Sequence, residues 1–262
     1  MSEKITGENL EQVIMKNKEI RQEIDQCVML VKTTCNQMQV SSSPQLALQL
    51  LRGYGLIQMP IDNCYLSGAI YVKNEKRIPF INTALPRVNQ YFTAWHELYH
   101  IIFDTVSFDY LIETDTTMEE RKAEYFASKM LLGNLMPYFV QLSEDMDFQS
   151  KVYNCMQVFQ TPYKAVLIAL YEAAEQAGSS MLMKLVKENF DKSNINMAEQ
   201  FWKLGLDNTL VRPSYVVDVS SLQSKIYESI QKAPELNYHK DNEVYLKNVM
   251  KEIKLIIGDL DA

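Results

Sequence analysis

Two histidines four residues apart, with a glutamate beside the first, define the chemistry open to this chain: His96-Glu97-Leu98-Tyr99-His100. On a helix, positions four apart share a face, so His96 and His100 can aim two imidazoles at one metal ion. Glu97 lies close enough to take a proton from a water held by that ion. A catalytic Zn²⁺ takes about four ligands and leaves one position for water, so a third protein ligand must come from elsewhere. The bland alternative is an amphipathic helix carrying two chance histidines. Against it, the chain has only three histidines in 262 residues and two fall here. The flanks are also apolar, Phe92, Ala94 and Trp95 before and Ile101, Ile102 and Phe103 after. A buried histidine pair needs partners for its polar atoms, and a metal ion supplies one.

The elements that must position this motif follow from the spacing of apolar residues. Leu10, Val13, Ile20, Ile24, Cys27, Val31 and Met38 recur at helical intervals and predict one long helix over 8–38, broken only at Asn17 and Thr34. A short coiled coil or dimer contact is the alternative, but the heptad is short and imperfect, so packing on its own domain is expected. Ser41-Ser42-Ser43-Pro44 interrupts it and caps a helix over Gln45–Arg52, closed by Gly53 and Gly55. Strands are expected at 56–59, 68–73 and 77–82, with a hairpin turn at Asn74-Glu75-Lys76 and with Pro79 marking an edge strand. The H-E-x-x-H helix should begin near Thr93 and fade near Asp104, with polar, irregular chain over 105–117. A second helix, capped by Thr116 or Thr117, runs from about Met118 to Gly133. The rest reads as helices over 136–145, 148–159, 162–178, 179–190, 196–204, 220–232 and 241–258, with a strand somewhere in 209–219.

Composition narrows the function classes. A hydrophobic content of 47% is enough for a real core. The net charge of −7, from 33 acidic and 26 basic residues, argues against nucleic acid or an anionic membrane as the main partner. No apolar run reaches the length of a membrane span, and Met-Ser-Glu-Lys-Ile-Thr-Gly-Glu lacks a signal peptide's basic start and apolar core. Cys27, Cys35, Cys64 and Cys155 show no C-x-x-C spacing and read as reduced thiols. The expectation is a soluble cytoplasmic protein.

The third ligand is the open question. A metzincin would place Gly and His where this chain has Phe103 and Val106, so that class is excluded, and His239 lies far along a polar segment. A carboxylate from the following helix remains. Glu120 and Glu124, four apart on one face, both qualify, one as ligand and the other as its support; Glu113, Asp115 and Glu119 are weaker, and Glu119 reads as an ordinary solvated acid.

The segments Arg77-Ile78-Pro79-Phe80-Ile81-Asn82, Phe92-Thr93-Ala94-Trp95-His96-Glu97-Leu98-Tyr99-His100 and Ala123-x-x-Phe126-Ala127-x-x-x-Leu131-Leu132 resemble the ImmA/IrrE family of metallopeptidases. In that family a strand ending in Asn precedes an F-T-x-x-H-E-L-x-H helix, and a later E-x-x-x-[N/D]-x-F-A-x-x-L-L helix carries the third ligand. Aligned on Phe126-Ala127, the resemblance implies Glu120 as ligand and puts Glu124 where the family has Asn or Asp. It covers roughly 41–175, since Phe159-Gln160-Thr161-Pro162-Tyr163 and the run to Leu170 are similar to the family's helix-turn-helix-like tail. Tyr99 replaces a usual Gly, and Gly133-Asn134 a usual Met-Pro; neither removes a catalytic part.

The fold implied is α+β and mostly helical: a small zincin-like mixed sheet with the H-E-x-x-H helix, then a helical C-terminal region. The divisions are an N-terminal helix (1–40), the zincin-like metallopeptidase core (41–140), a helix-turn-helix-like segment (141–190) and a C-terminal helical region for partner recognition or regulation (191–262). One Zn²⁺ held by His96, His100 and Glu120, with Glu97 as general base, implies a zinc endopeptidase; Glu124 supports the site or stands as an alternative ligand. The strand near Ile78–Asn82 would pair with an extended peptide. The resemblance further implies a regulatory protease acting on a partner repressor of the helix-turn-helix type, encoded by a bacterium, phage or mobile element. The competing reading is a non-proteolytic zinc-binding regulator, disfavoured because a structural site has no use for a base beside an open coordination position. Lys164 is the only base of the helix-turn-helix-like segment's second helix, so protein rather than DNA is the expected contact.

Overall fold

A computed structural model describes residues 5–36, 42–73, 76–104, 116–192 and 196–258. The N-terminal stripe forms α1 (Leu10–Thr34), which buries Leu10, Val13, Ile14, Asn17, Ile20, Ile24 and Val31. Asn17, which interrupts the apolar pattern, is fully buried with them. α1 lies along both halves of the molecule. Its first turns join one core with the C-terminal helices, and its later turns join a second core with the sheet and the motif helix.

α2 (Ser43–Gly53) places Pro44 in its first turn, where no intrahelical N–H is needed. Three strands follow: β1 (Ile57–Met59), β2 (Gly68–Lys73) and β3 (Lys76–Asn82), in the order β1-β3-β2. β2 and β3 are antiparallel, in a register that closes at Lys73↔Lys76, whereas β1 runs parallel to β3. β3 is thus the central strand, which corrects the edge position expected from Pro79. The proline is tolerated because β1 reaches only Phe80–Asn82, so at residue 79 the strand has one neighbour, β2, through the pair Ile70↔Pro79.

The motif helix α3 (Arg87–Ile102) begins a turn and a half before Thr93, directly after Pro86. Apolar residues surround it: Trp95 and Leu98 are fully buried, and the Trp95 ring stands edge-on to Phe126 at 6.0 Å. α4 (Thr116–Leu132) packs along it and ends at Gly133, whose φ of +53° is a left-handed cap that glycine adopts without strain. Ser43 ties three helices together, donating to the Met130 carbonyl (2.9 Å) and accepting from Trp95 Nε1 (3.0 Å). The polar stretch after Asp104, with Glu113 and Asp115, lies outside the described residues.

The helical half comprises α5 (Met136–Gln141), α6 (Phe148–Phe159), α7 (Tyr163–Gln176), α8 (Ser180–Phe190) and α9 (Met197–Lys203). α7, the second helix of the helix-turn-helix-like segment, is the centre of this half rather than a surface element: Val166, Leu167, Leu170 and Ala174 are wholly buried. No strand forms over 209–219. A 3-10 turn (Asn208–Val211) leads into extended chain that makes two isolated bridges, Pro86↔Pro213 and Gln58↔Asp218. This corrects the expected strand, and the reason is local: two prolines' worth of missing donors and one short neighbour allow only single bridges. α10 (Ser220–Lys232) and α11 (Tyr238–Gly258) end the chain as a hairpin. All four cysteines are free thiols. Among the described residues no helix is long and apolar enough to cross a membrane.

Candidate metal centre

α3 and α4 bring three donor groups together. His96 Nε2 lies 3.2 Å from His100 Nε2 and 3.2 Å from Glu120 Oε2, and His100 Nε2 is 3.7 Å from Glu120 Oε1. One donor atom from each residue falls within 4.8 Å of the others, the one such group among the described residues. These separations fit an ion better than mutual hydrogen bonds. Two ligands at 2.0–2.1 Å from one Zn²⁺ in tetrahedral array stand about 3.3 Å apart. Two imidazole nitrogens, a borderline ligand, and one carboxylate suit a divalent transition ion.

The electrostatics agree with that geometry. Burial alone would push the His96 imidazolium down, but its hydrogen bond to Glu120 and the charges of Glu97, Glu120 and Glu124 outweigh it and raise its pKa. His100 goes the other way, lowered first by burial and then by the neighbouring His96, so it favours the neutral form that ligates metal. The hydrogen bond with His96 holds the Glu120 carboxyl below its ordinary range. His96 and Glu120 thus favour an ion pair while His100 favours the neutral imidazole, so a metal ion entering the cluster competes with a proton on His96.

His100 has a further partner that sequence spacing did not single out. Its Nδ1 is 3.0 Å from Asp104 Oδ2, which leaves Nε2 facing His96 and Glu120. Asp104 is itself held by Arg77, whose Nη1 donates to the carbonyls of His100 (2.9 Å), Ile101 (3.1 Å) and Asp104 (2.8 Å). A β3 side chain therefore caps α3 just where the second histidine emerges. The i, i+4 relation of His100 and Asp104 was the available signal; the reach of Arg77 across the fold left none.

Glu97 is buried beside the cluster, 6% exposed, and burial raises its carboxyl to about 7. The first residue of β2 explains how it fits. A Cβ on Gly68 would stand 2.8 Å from Glu97 Oε1, 2.5 Å from Thr93 Cγ2 and 2.9 Å from the Phe80 carbonyl. Only glycine lets the strand and the base approach so closely.

The other sequence candidates fall outside the cluster. Glu124 turns from it to Arg121, with 2.7 Å between Oε2 and Nη1, and neutralises a guanidinium that is 7% exposed. Glu119 pairs with Lys122 at 3.0 Å. His239 Nε2 donates within the last hairpin to the Ala233 carbonyl, 2.7 Å away. Tyr99, at the departure from Gly, faces the core between Phe103 and Phe126 rather than a cleft. Asn82, the residue that ends β3, is wholly buried: its Oδ1 accepts from the Ile61 and Ala84 amides and its Nδ2 donates to the carbonyls of Ile61, Asn63 and Leu66. It fixes the loop that leads into Gly68.

Because β1 and β2 flank the end of β3, with β1 covering Phe80–Asn82, the expected pairing of a peptide along Ile78–Asn82 is blocked over most of that stretch. The outer edge of β2, unpaired among the described residues, starts at Gly68 beside Glu97.

Residues 55–171 match the family model described as the IrrE N-terminal-like domain. That span holds the sheet, both metal-site helices and the chain through most of α7. Comparison with curated proteins and with solved structures found no match.

Proposed function

We propose that this chain, which belongs through residues 55–171 to the ImmA/IrrE family of metallopeptidases, is a zinc-dependent endopeptidase of regulatory type. The observation that carries the reading is the convergence of His96, His100 and Glu120 with the buried carboxylate of Glu97 beside them. A metal-binding triad alone could be structural; a base set next to it, in a pocket that only Gly68 makes possible, serves turnover.

In this reading the Nε2 atoms of His96 and His100 and the Glu120 carboxylate hold the ion. When bound, Zn²⁺ supplies acidification of a water and polarisation of the scissile carbonyl. Glu97 takes the proton of that water and returns it to the leaving amine. Asp104 keeps the His100 ring in the tautomer whose Nε2 is free to ligate. The edge of β2 receives an extended peptide by strand pairing and lays its carbonyls past Glu97. The substrate proposed is a partner repressor of the helix-turn-helix type.

The test is incubation of the full chain with the repressor encoded beside it, with and without 1,10-phenanthroline, and in parallel with Glu97→Gln. The expected outcome is one cleavage event, abolished by the chelator, and a Glu97→Gln protein that keeps its zinc while losing turnover by at least about a thousandfold. Cleavage at the normal rate by Glu97→Gln would remove this residue from the base role. Stable repressor binding without cleavage by the zinc-loaded wild type would favour the non-proteolytic regulator.

A further inference from the structure

The C-terminal hairpin is built unlike the rest of the molecule. α10 has no buried residue, and α11 buries only His239 and Ile253. Apolar side chains stay exposed on both helices, among them Tyr227, Tyr245 and Leu255. Between the helices runs a groove of about 400 Å³, with Leu246 and Met250 among its walls, Gln223 on the α10 side, and Lys247, Lys251 and Lys254 along α11. The three lysines sit at i, i+4 and i+7 and share one face, spanning about 10 Å.

In the body of the protein the lysines are mostly matched: Lys122 to Glu23 and Glu119, Lys129 to Asp25, Lys203 to Glu199. Among the described residues Lys247, Lys251 and Lys254 have no ion-pair partner. Like charges one turn apart on a helix repel, so this face is uncompensated in a chain whose net charge is −7.

We propose that the α10–α11 groove is a docking site for an acidic amphipathic helix of a partner protein. Its carboxylates, at the same i, i+4, i+7 spacing, meet the three lysines, and apolar side chains between them cover Leu246 and Met250. Charge complementarity selects the occupant. Met250 supplies an adaptable apolar surface, and exposed tyrosines are frequent at such interfaces. A nucleic acid fits less well: the hairpin contains no arginine to fork a phosphate, apolar walls offer phosphates nothing, and the acidic body repels a polyanion.

The hairpin is anchored near β1, where Ser221 Oγ donates to the Gly55 carbonyl (3.0 Å) and Asp218 bridges Gln58. β2 lies on the other side of the sheet, so a docked helix leaves its edge free. Use of the groove to present a substrate rests on the peptidase reading; the binding itself does not.

The experiment uses fluorescence anisotropy on the full chain. The probe is a labelled helical peptide of about 18 residues with glutamates at i, i+4 and i+7 and leucines between them. Its controls are a scrambled peptide of the same composition, a lysine-for-glutamate peptide and duplex DNA. The expected results are binding that weakens with salt, a loss of about tenfold or more in Lys247→Glu/Lys251→Glu/Lys254→Glu, and transfer of preference in that variant to the lysine peptide. The substituted side chains are exposed, and circular dichroism checks that the variant is folded. Equal affinity of variant and wild type, equal binding of the scrambled peptide, or tighter binding of DNA would each overturn the proposal. So would a wild-type dimer that the triple variant dissolves in sedimentation, since the occupant would then be a second copy. Binding of the probe without its cleavage keeps the docking site, and the peptidase reading is decided separately by the repressor cleavage assay.

Discussion

At the scale of single residues, the α4 acids divide the work. Glu120 faces the histidines, and Glu124, one turn on, compensates the buried Arg121. Glu120→Ala is therefore expected to lower zinc affinity by a hundredfold or so while Glu124→Ala keeps stoichiometric metal. Glu124→Ala should instead cost about 1–3 kcal/mol of stability, because it leaves a buried guanidinium without its carboxylate. Metal content by mass spectrometry and urea unfolding separate the two; metal lost from Glu124→Ala but retained by Glu120→Ala would reverse the assignment. Gly68 gives a second residue-scale prediction. Its added methyl would press on the Phe80 carbonyl, which is backbone, as well as on Thr93 and Glu97. Gly68→Ala should destabilise by about 1–3 kcal/mol and reduce turnover more than it reduces bound zinc. Unchanged activity with unchanged stability would show that β2 and Glu97 are less tightly coupled than this packing implies.

At the scale of elements, a few helix limits trace to a nameable group. α6 starts at Asp147, whose carboxylate accepts from the Ser150 amide (3.0 Å) and the Ser150 hydroxyl (2.6 Å). Burial pushes that carboxyl up, but the bonds from Ser150 and the nearby amides outweigh it and hold its pKa below the ordinary value. A carboxylate depressed in the folded state adds stability above its unfolded pKa and loses it as pH falls through the folded one. Asp147→Ala should thus cost about 1 kcal/mol at neutral pH, and the gap from wild type should close below about pH 4. Parallel denaturant titrations at several pH values read this out; a gap that persists into strong acid would mean the side chain works by packing and not by its charge. α3 is stopped by Arg77 beside the site, whereas α4, which carries Glu120 near its start, is stopped by Gly133 at the end away from it.

For the whole molecule, the ion would join side chains from two helices that share one core with the sheet, α2 and the later turns of α1. Because the unfolded chain cannot assemble that triad, metal binding is folding energy, about 4 kcal/mol at a thousand times the dissociation constant. Adding Zn²⁺ to chelator-stripped protein should raise Tm by several degrees, and His100→Ala should abolish the rise. A calorimetric trace unmoved by saturating zinc would count against a preformed site. The hairpin, which shares little buried surface with that core, should respond least to metal.

Local patterns in the chain already determined which helices form and which residues could ligate. Periodicity marked α6, α10 and β2, and the H-E-x-x-H spacing is a property of one helix, readable without its neighbours. Choosing between Glu120 and Glu124 took more than spacing, because two acids four apart look alike until a second helix chooses a face. Pro79 misled for a related reason: proline reports a missing donor at one residue, not how many strands flank the others. The strand expected in 209–219, the reach of Arg77, the glycine beneath Glu97 and the free edge of β2 all depend on contacts between residues distant in sequence. Those were decided only in the tertiary structure, where steric closeness and buried polar partners, rather than periodicity, set each side chain's surroundings.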